Sequence, residues 1–408
     1  MSQQGPIIVV SSGAQLPFEA SLADMFPVIE TSWSEASRAI DQVQPAAVLI
    51  SMSADAEQTL EALAKQIAVL QPYIPMIVID PNGPLPENAI PFSSGDGGFD
   101  RLSARLSAAL RVRTLHSTVL RRIAGDPMMQ KRMSDGDPID DATVLLIGRG
   151  AAYPALSVAL GERMGVIGAF SIEAAAKHLN SRDLDGIILG EGFSERVVDG
   201  FLTVLAEDAR FRHLPVIATI SRLPTNYNLP NLDYSSGDPE HIASNALPLI
   251  RQHAFEARLS RTLKSIEAGG LLDARTGLLT LEAFNRDLAT AIYQTSMRGS
   301  GLSVARFVFG QQHERAQFDG ARILSRLMRQ MDFGALQDDG SIIVVFAETD
   351  LRNARMIARR LSSVMKYTVH AKRNSHIEPA TIVTALLPSD SAKSILVRLT
   401  GEPRRAAS

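Results

Sequence analysis

Short apolar runs recur along the first 250 residues at a spacing that sets their structure. "PIIVVSS", "PAAVLISMS" and "IPMIVID" are each a few apolar residues closed by small or polar ones. That is the pattern of strands buried on both faces of a parallel sheet. Between them lie stretches of helical period, "DAEQTLEALAKQIAVL" and "DRLSARLSAALRVR" among them. Strands alternating with helices at this spacing predict βαβ units and a doubly wound sheet.

The pattern then repeats. "ATVLLIGRGAAYPAL" parallels "PIIVVSSGAQLPFEA", "SIEAAAKHLNSRDLDGIILG" parallels "SEASRAIDQVQPAAVLIS", and "HLPVIATIS" parallels "YIPMIVIDP". The tetrapeptide "SSGD" stands at Ser93–Asp96 and again at Ser235–Asp238. The offset is 138 residues from Glu35 to Glu173 and 142 from Asp96 to Asp238. A near-constant offset over several landmarks argues for a duplicated domain. We therefore expect one α/β domain over 1–118, a linker rich in Gly, Pro and Asp over 119–140, and a second α/β domain over 141–252. A connecting helix follows over 253–270, within "IRQHAFEARLSRTLKSIEAG", stopped by Gly269 and Gly270.

From 271 to 408 the pattern changes. "DARTGLLTLEAF" is a turn leading into a helix, with Thr280 in N-cap position. "GLSVARFVFG" and "ATIVTALLP" read as strands. "ARILSRLMRQ", "LRNARMIARRLSSVM" and "SAKSILVRL" read as helices. "DFGALQDDGSIIVVFAETD" reads as an antiparallel hairpin with an acidic, glycine-containing tip. The expected class is α/β for the two repeats and α+β for this last region.

Composition narrows the chemistry. The 408 residues are 45% hydrophobic and 21% charged, and the net charge of −3 makes no case for nucleic-acid binding. No cysteine is present, which removes disulfides, thiolate metal sites and cysteine nucleophiles. The start, "MSQQGPIIVVSS", lacks a basic n-region and a long apolar run, and no stretch is long enough for a membrane span. A cytoplasmic protein is expected.

Both repeats resemble receiver domains in element order and length. That resemblance implies an acidic pair after the first strand, a phospho-accepting Asp after the third and a Lys after the fifth. Here Ser11 and Ser12, or Gly148 and Arg149, follow the first strand, and Ser51 and Gly190 stand at the acceptor place. The repeats are thus expected to be pseudo-receivers, serving dimerisation or docking. Asp96 and Asp238 of "SSGD" have two readings, an anion or metal site or a helix cap, and the cap is the commoner use of such residues. His178 and His213 have no companions at ligand spacing.

The last region, over roughly 271–400, resembles GGDEF domains, the diguanylate cyclase family. "DARTGLLTLEAF" is similar to the family's opening, and the hairpin with its following helix matches without a gap. The five-residue motif falls on Asp338, Asp339, Gly340, Ser341 and Ile342. Two receiver-like units ahead of it resemble PleD-type architecture. Aspartates replace the phosphate-approaching glycines, Gly340 and Ser341 replace the acids, and "FVFG" lacks the other metal carboxylate. The segment before the hairpin is shorter than the family pattern by about a dozen residues. The resemblance therefore implies no cyclase activity, no catalytic residues and no Mg²⁺. It also implies a retained RxxD site for cyclic di-GMP at Arg329 and Asp332, with Arg360 on the next helix. Chemically, Arg donates two hydrogen bonds to a guanine edge and stacks on purines, and Asp accepts from guanine N–H groups. RxxD alone says little, since it also begins at Arg38, Arg132, Arg182 and Arg196. Its register against the hairpin carries the signal; a surface salt bridge at a helix end is the alternative. The resemblance further implies a homodimer, a protein partner and recruitment to a cell pole. The rival expectations are a nucleotide-independent interaction scaffold and a residual diguanylate cyclase.

Overall fold

The computed structural model describes residues 5–12, 19–52, 57–81, 83, 85–93, 98–126, 130, 136–220, 227–298, 301–309, 314–366, 368–369 and 378–400. It is a mixed α/β chain with parallel sheets and one antiparallel sheet.

The first repeat runs β1 (Ile7–Ser11), α1 (Glu19–Met25), β2 (Val28–Ser32), α2 (Ala36–Val43), β3 (Ala47–Ser51), α3 (Glu57–Ala68), β4 (Met76–Ile79), β5 (Ala89–Phe92) and α4 (Gly98–Arg122). The sheet order is β2-β1-β3-β4-β5, with every pairing parallel. The uninterrupted apolar runs are the strands, and Ile8, Val48 and Val78 are wholly buried on one face. α4 continues to Arg122, past the expected boundary at 118. A 3₁₀ turn over Pro138–Asp141 leads into the second repeat, with Asp137 accepting from the Ile139 amide.

The second repeat supplies β6 (Thr143–Ile147), α5 (Tyr153–Gly161), β7 (Gly165–Ala169), α6 (Ile172–Ser181), β8 (Gly186–Leu189), α7 (Glu195–Glu207), β9 (Val216–Ala218) and β10 (Leu232–Tyr234). β6, β8, β9 and β10 lie side by side in parallel, in the same order as β1, β3, β4 and β5. One helix, α8 (Pro239–Glu267), then spans the last helix of the repeat and the expected connecting helix. The helix thus begins fourteen residues before the expected start at 253. Pro248 lies inside the helix without ending it, and the stop is at Gly269 and Gly270, both with positive φ.

The last region runs α9 (Leu281–Arg298), β11 (Leu302–Val308), α10 (Glu314–Leu327), β12 (Phe333–Leu336), β13 (Ile342–Ala347), α11 (Leu351–Met365), β14 (Thr368–Val369), β15 (Ala380–Ala385) and α12 (Ala392–Thr400). Its sheet is antiparallel, in the order β12-β13-β11-β15. Alternation along β11 and β13 buries both faces. Ala305, Phe307, Ile342 and Val344 pack with α10 and α11. Val304, Ile343 and Val345 pack with Phe284 and Leu288 of α9 and Ile395 of α12.

The chain forms two compact units, Met1–Leu160 with Ala169–Ile172 and Leu184–Leu259, and Gly161–Gly168 with Glu173–Asp183 and Ser260–Ser408. Within the second unit a piece of the second repeat packs on the last region. β14 pairs antiparallel with β7, Thr368 opposite Ile167. Arg182, 1% exposed, pairs with the buried Asp319 of α10 at 3.2 Å and donates to the Val364 carbonyl of α11. Arg326 donates to the Arg182 carbonyl at 2.8 Å and pairs with Asp183.

Candidate functional site

The turn that opens the last region is built as its residues dictate. Asp273 accepts from the Thr276 amide at 2.8 Å and the Thr276 hydroxyl at 2.7 Å, and the Thr280 hydroxyl accepts from the Ala283 amide to cap α9.

The tip of the β12–β13 hairpin is a type of turn that requires glycine. The Gly340 amide donates to the Gln337 carbonyl, and the Gln337 amide donates to the Ser341 carbonyl. Gly340 has φ +77, so the tip is a tight turn followed by a left-handed residue. A Cβ there would lie 2.3 Å from Gln317 Nε2 of α10, so the Gln317 side chain fills the space beside the glycine. Where the resemblance calls for a carboxylate, the left-handed backbone disfavours a side chain, and the Gln317 carboxamide would have to move aside to admit one.

The neighbouring carboxylate is internally committed. Asp339 Oδ1 accepts from the Ser341 amide at 2.9 Å and the Ser341 hydroxyl at 2.6 Å. Asp339 Oδ2 pairs with Arg306 of β11. Arg306 also donates to the Ser341 hydroxyl at 3.0 Å and to the Leu399 carbonyl at 3.3 Å. Burial pushes the Asp339 carboxyl up, but the Ser341 hydroxyl and amide and the Arg306 guanidinium outweigh it and hold it below its ordinary value. Asp338 is exposed. Ile342 opens β13, buried and opposite Leu336. Sequence reasoning missed Arg306 and Gln317. The available signal was a lone arginine inside the apolar strand "SVARFVF".

Arg329 and Asp332 close the turn between α10 and β12, with the Asp332 amide donating to the Arg329 carbonyl at 3.0 Å. Arg329 is exposed and Asp332 is 8% exposed. Asp332 Oδ1 accepts from the Ala347 amide at 3.2 Å, tying the start of β12 to the end of β13. Burial pushes the Asp332 carboxyl up, opposed by the Ala347 and Arg329 amides and the Arg329 charge. The two residues share a turn without forming a salt bridge. Arg360 stands apart on α11, where it lines an open depression of about 390 Å³ with Arg355, Met356, Arg359 and Ser363. Arg329 and Asp332 are not among the residues lining it.

The other sequence candidates find structural places. Asp238 accepts from the His241 amide at 2.9 Å and caps α8, the commoner use of "SSGD". Asp96 and Gly310 lie outside the described residues. Ser51 ends β3. At the strand ends of the second repeat the Arg149 amide donates to the Glu191 carbonyl at 2.9 Å, and the Arg149 guanidinium lies 5.4 Å from the Phe193 ring. Gly192, at φ +102, packs so that a Cβ would meet Arg149 at 2.8 Å. The loops of Gly148 and Gly190 thus close on each other at the strand ends. Among the described residues no three His, Asp or Glu side chains are placed to hold a metal, and no helix is long and apolar enough to cross a membrane.

Solved structures similar to this chain include GGDEF domains, each aligned with about a third of it. A sensory box/GGDEF family protein from Caulobacter crescentus is 19% identical, covering 32% of this chain and 92% of that one, with a TM-score of 0.28. The coiled coil and GGDEF domain of DgcB from the same organism, in complex with c-di-GMP, is 17% identical, covering 35% and 83%, with a TM-score of 0.29. The FimX GGDEF domain from Pseudomonas aeruginosa is 16% identical, covering 32% and 88%, with a TM-score of 0.28. No family model and no curated protein matches the chain.

Proposed function

We propose that this protein is a cytoplasmic, catalytically inactive GGDEF-type regulator that binds cyclic di-GMP at Arg329, Asp332 and Arg360 and signals to a protein partner. The observation that carries the reading is the contrast between the hairpin tip and the turn beside it. At the tip, Asp339 is spent on Arg306 and Ser341, and Gly340 is packed against Gln317. Phosphoryl transfer needs metal ions to offset developing charge. The residues at this tip do not fit them, because a built-in guanidinium already occupies the carboxylate. On the adjoining turn Arg329 is exposed, with Asp332 three residues on. The ligand's guanine edges match Arg and Asp in kind. Arg360 sits on a different element, so a ligand holding all three residues bridges either two parts of one chain or two copies. A homodimer in the bound state fits the second case.

Incubation with GTP and Mg²⁺ tests the inactive half of the proposal: no cyclic di-GMP is expected, and turnover would overturn it. Retention of radiolabelled cyclic di-GMP on a filter tests the other half. Retention that excess GTP leaves intact is expected; displacement by GTP would move the nucleotide to the hairpin tip. One observation favours a second reading, an interaction scaffold that binds no nucleotide. Asp332 is buried and holds the Ala347 amide, which gives it a structural duty of its own. On that reading no labelled nucleotide is retained.

A further inference from the structure

Arg352, Arg355, Arg359 and Arg360 are all exposed on α11, and among the described residues none of them pairs with a carboxylate. Elsewhere in the same unit Arg275, Arg286, Arg306, Arg326 and Arg398 each have an acidic partner. Overall basicity does not account for this row, since the chain's net charge is −3. The arrangement opposes helix stability. Arg352 and Arg355 are three residues apart and Arg355 and Arg359 four apart, the spacings at which like charges repel. The four guanidiniums extend over about 12 Å at 1.5 Å per residue. Arg355, Arg359 and Arg360 line the open depression together with Met356, 59% exposed, and Ser363.

The nucleotide site proposed above engages Arg360 and leaves Arg352, Arg355 and Arg359 unused. We infer that this face of α11 docks an acidic segment of a partner protein, its carboxylates paired with the guanidiniums and one apolar side chain seated against Met356. Guanidiniums take carboxylates bidentately, and methionine adapts to apolar side chains of varied shape. A nucleic acid is disfavoured as the occupant. Its backbone calls for a basic footprint across several elements, and single strands call for aromatic stacking platforms. Among the described residues the depression is lined from one helix alone, and no aromatic residue lines it.

Fluorescence anisotropy on the full chain tests this, using a labelled peptide of about twelve Asp and Glu residues with one central leucine. Saturable binding is expected, weakened about tenfold when NaCl rises from about 50 to about 300 mM. The Arg355→Glu/Arg359→Glu double variant is expected to lose at least about tenfold in affinity, and Arg355→Gln/Arg359→Gln an intermediate amount. These side chains are exposed, so the unfolding midpoint is expected to hold. Arg329→Ala, which removes the nucleotide turn, is expected to leave peptide binding unchanged, separating this surface from that site. Three results would each overturn the inference: no binding by the native chain, equal binding by the double variant, or tighter binding of an oligo-dT of similar length.

Discussion

Arg306 decides what the hairpin tip can be. Its guanidinium is mostly buried, and it joins β11 to Asp339, Ser341 and the Leu399 carbonyl. Replacing it with Ala leaves Ser341 and Asp339 short of a partner, at a cost of about 1–3 kcal/mol. A urea midpoint unchanged in Arg306→Ala would show that the tip does not depend on it. Gly340→Ala brings a Cβ against Gln317 at a positive φ, so about 1–3 kcal/mol of destabilisation is expected by the same measurement. Histidines set the acid response. Burial, helped by Arg113, pushes His116 down to about 4, and burial with Arg182 does the same to His178. In the unfolded chain both titrate near 6.5, so between about 6.5 and about 4 the unfolded state takes up protons that the folded state refuses. Stability is therefore expected to fall as pH drops through that window. The midpoint should fall less in His116→Gln, and an identical pH profile for that variant would assign the acid response to other groups.

At the scale of elements, the buried Arg182–Asp319 pair joins the segment after α6 to α10. Asp319→Ala removes the carboxylate that faces the buried Arg182 guanidinium, so a loss of about 3–5 kcal/mol is expected in denaturant unfolding. Nothing in "NSRDLDG" reveals this duty, because the partner lies 137 residues away. The sequence shows the arginine and leaves its burial hidden. What was legible follows from periodicity. The apolar runs are the parallel strands, β6, β8, β9 and β10 lie in the order of β1, β3, β4 and β5, and the acidic tip is a hairpin turn. The helix boundaries were less so. α8 absorbs Pro248 and begins well before the expected connecting helix, since the surrounding turns outweigh one lost backbone hydrogen bond. α10 begins at Glu314, seven residues before the expected "ARILSRLMRQ", on a polar stretch whose burial becomes visible in three dimensions. In the sequence, register against the hairpin singles out Arg329 and Asp332 for the proposed site, and the turn between α10 and β12 carries both. The bond from the Ala347 amide to Asp332 was not, because it depends on where β13 ends.

For the whole molecule the account makes one thermodynamic demand. A ligand that binds the folded chain alone stabilises it, by about 2.7 kcal/mol at a hundred times its dissociation constant. Cyclic di-GMP is therefore expected to raise the unfolding midpoint, and GTP is expected to leave it in place. The most direct measurement is isothermal titration of the full chain with cyclic di-GMP, with Arg329→Ala alongside. Arg329 is exposed, so the variant keeps the fold and reports on the ligand. The account predicts saturable binding by the native chain and its loss in the variant. Equal affinity in the two proteins, or no heat from either, would contradict it.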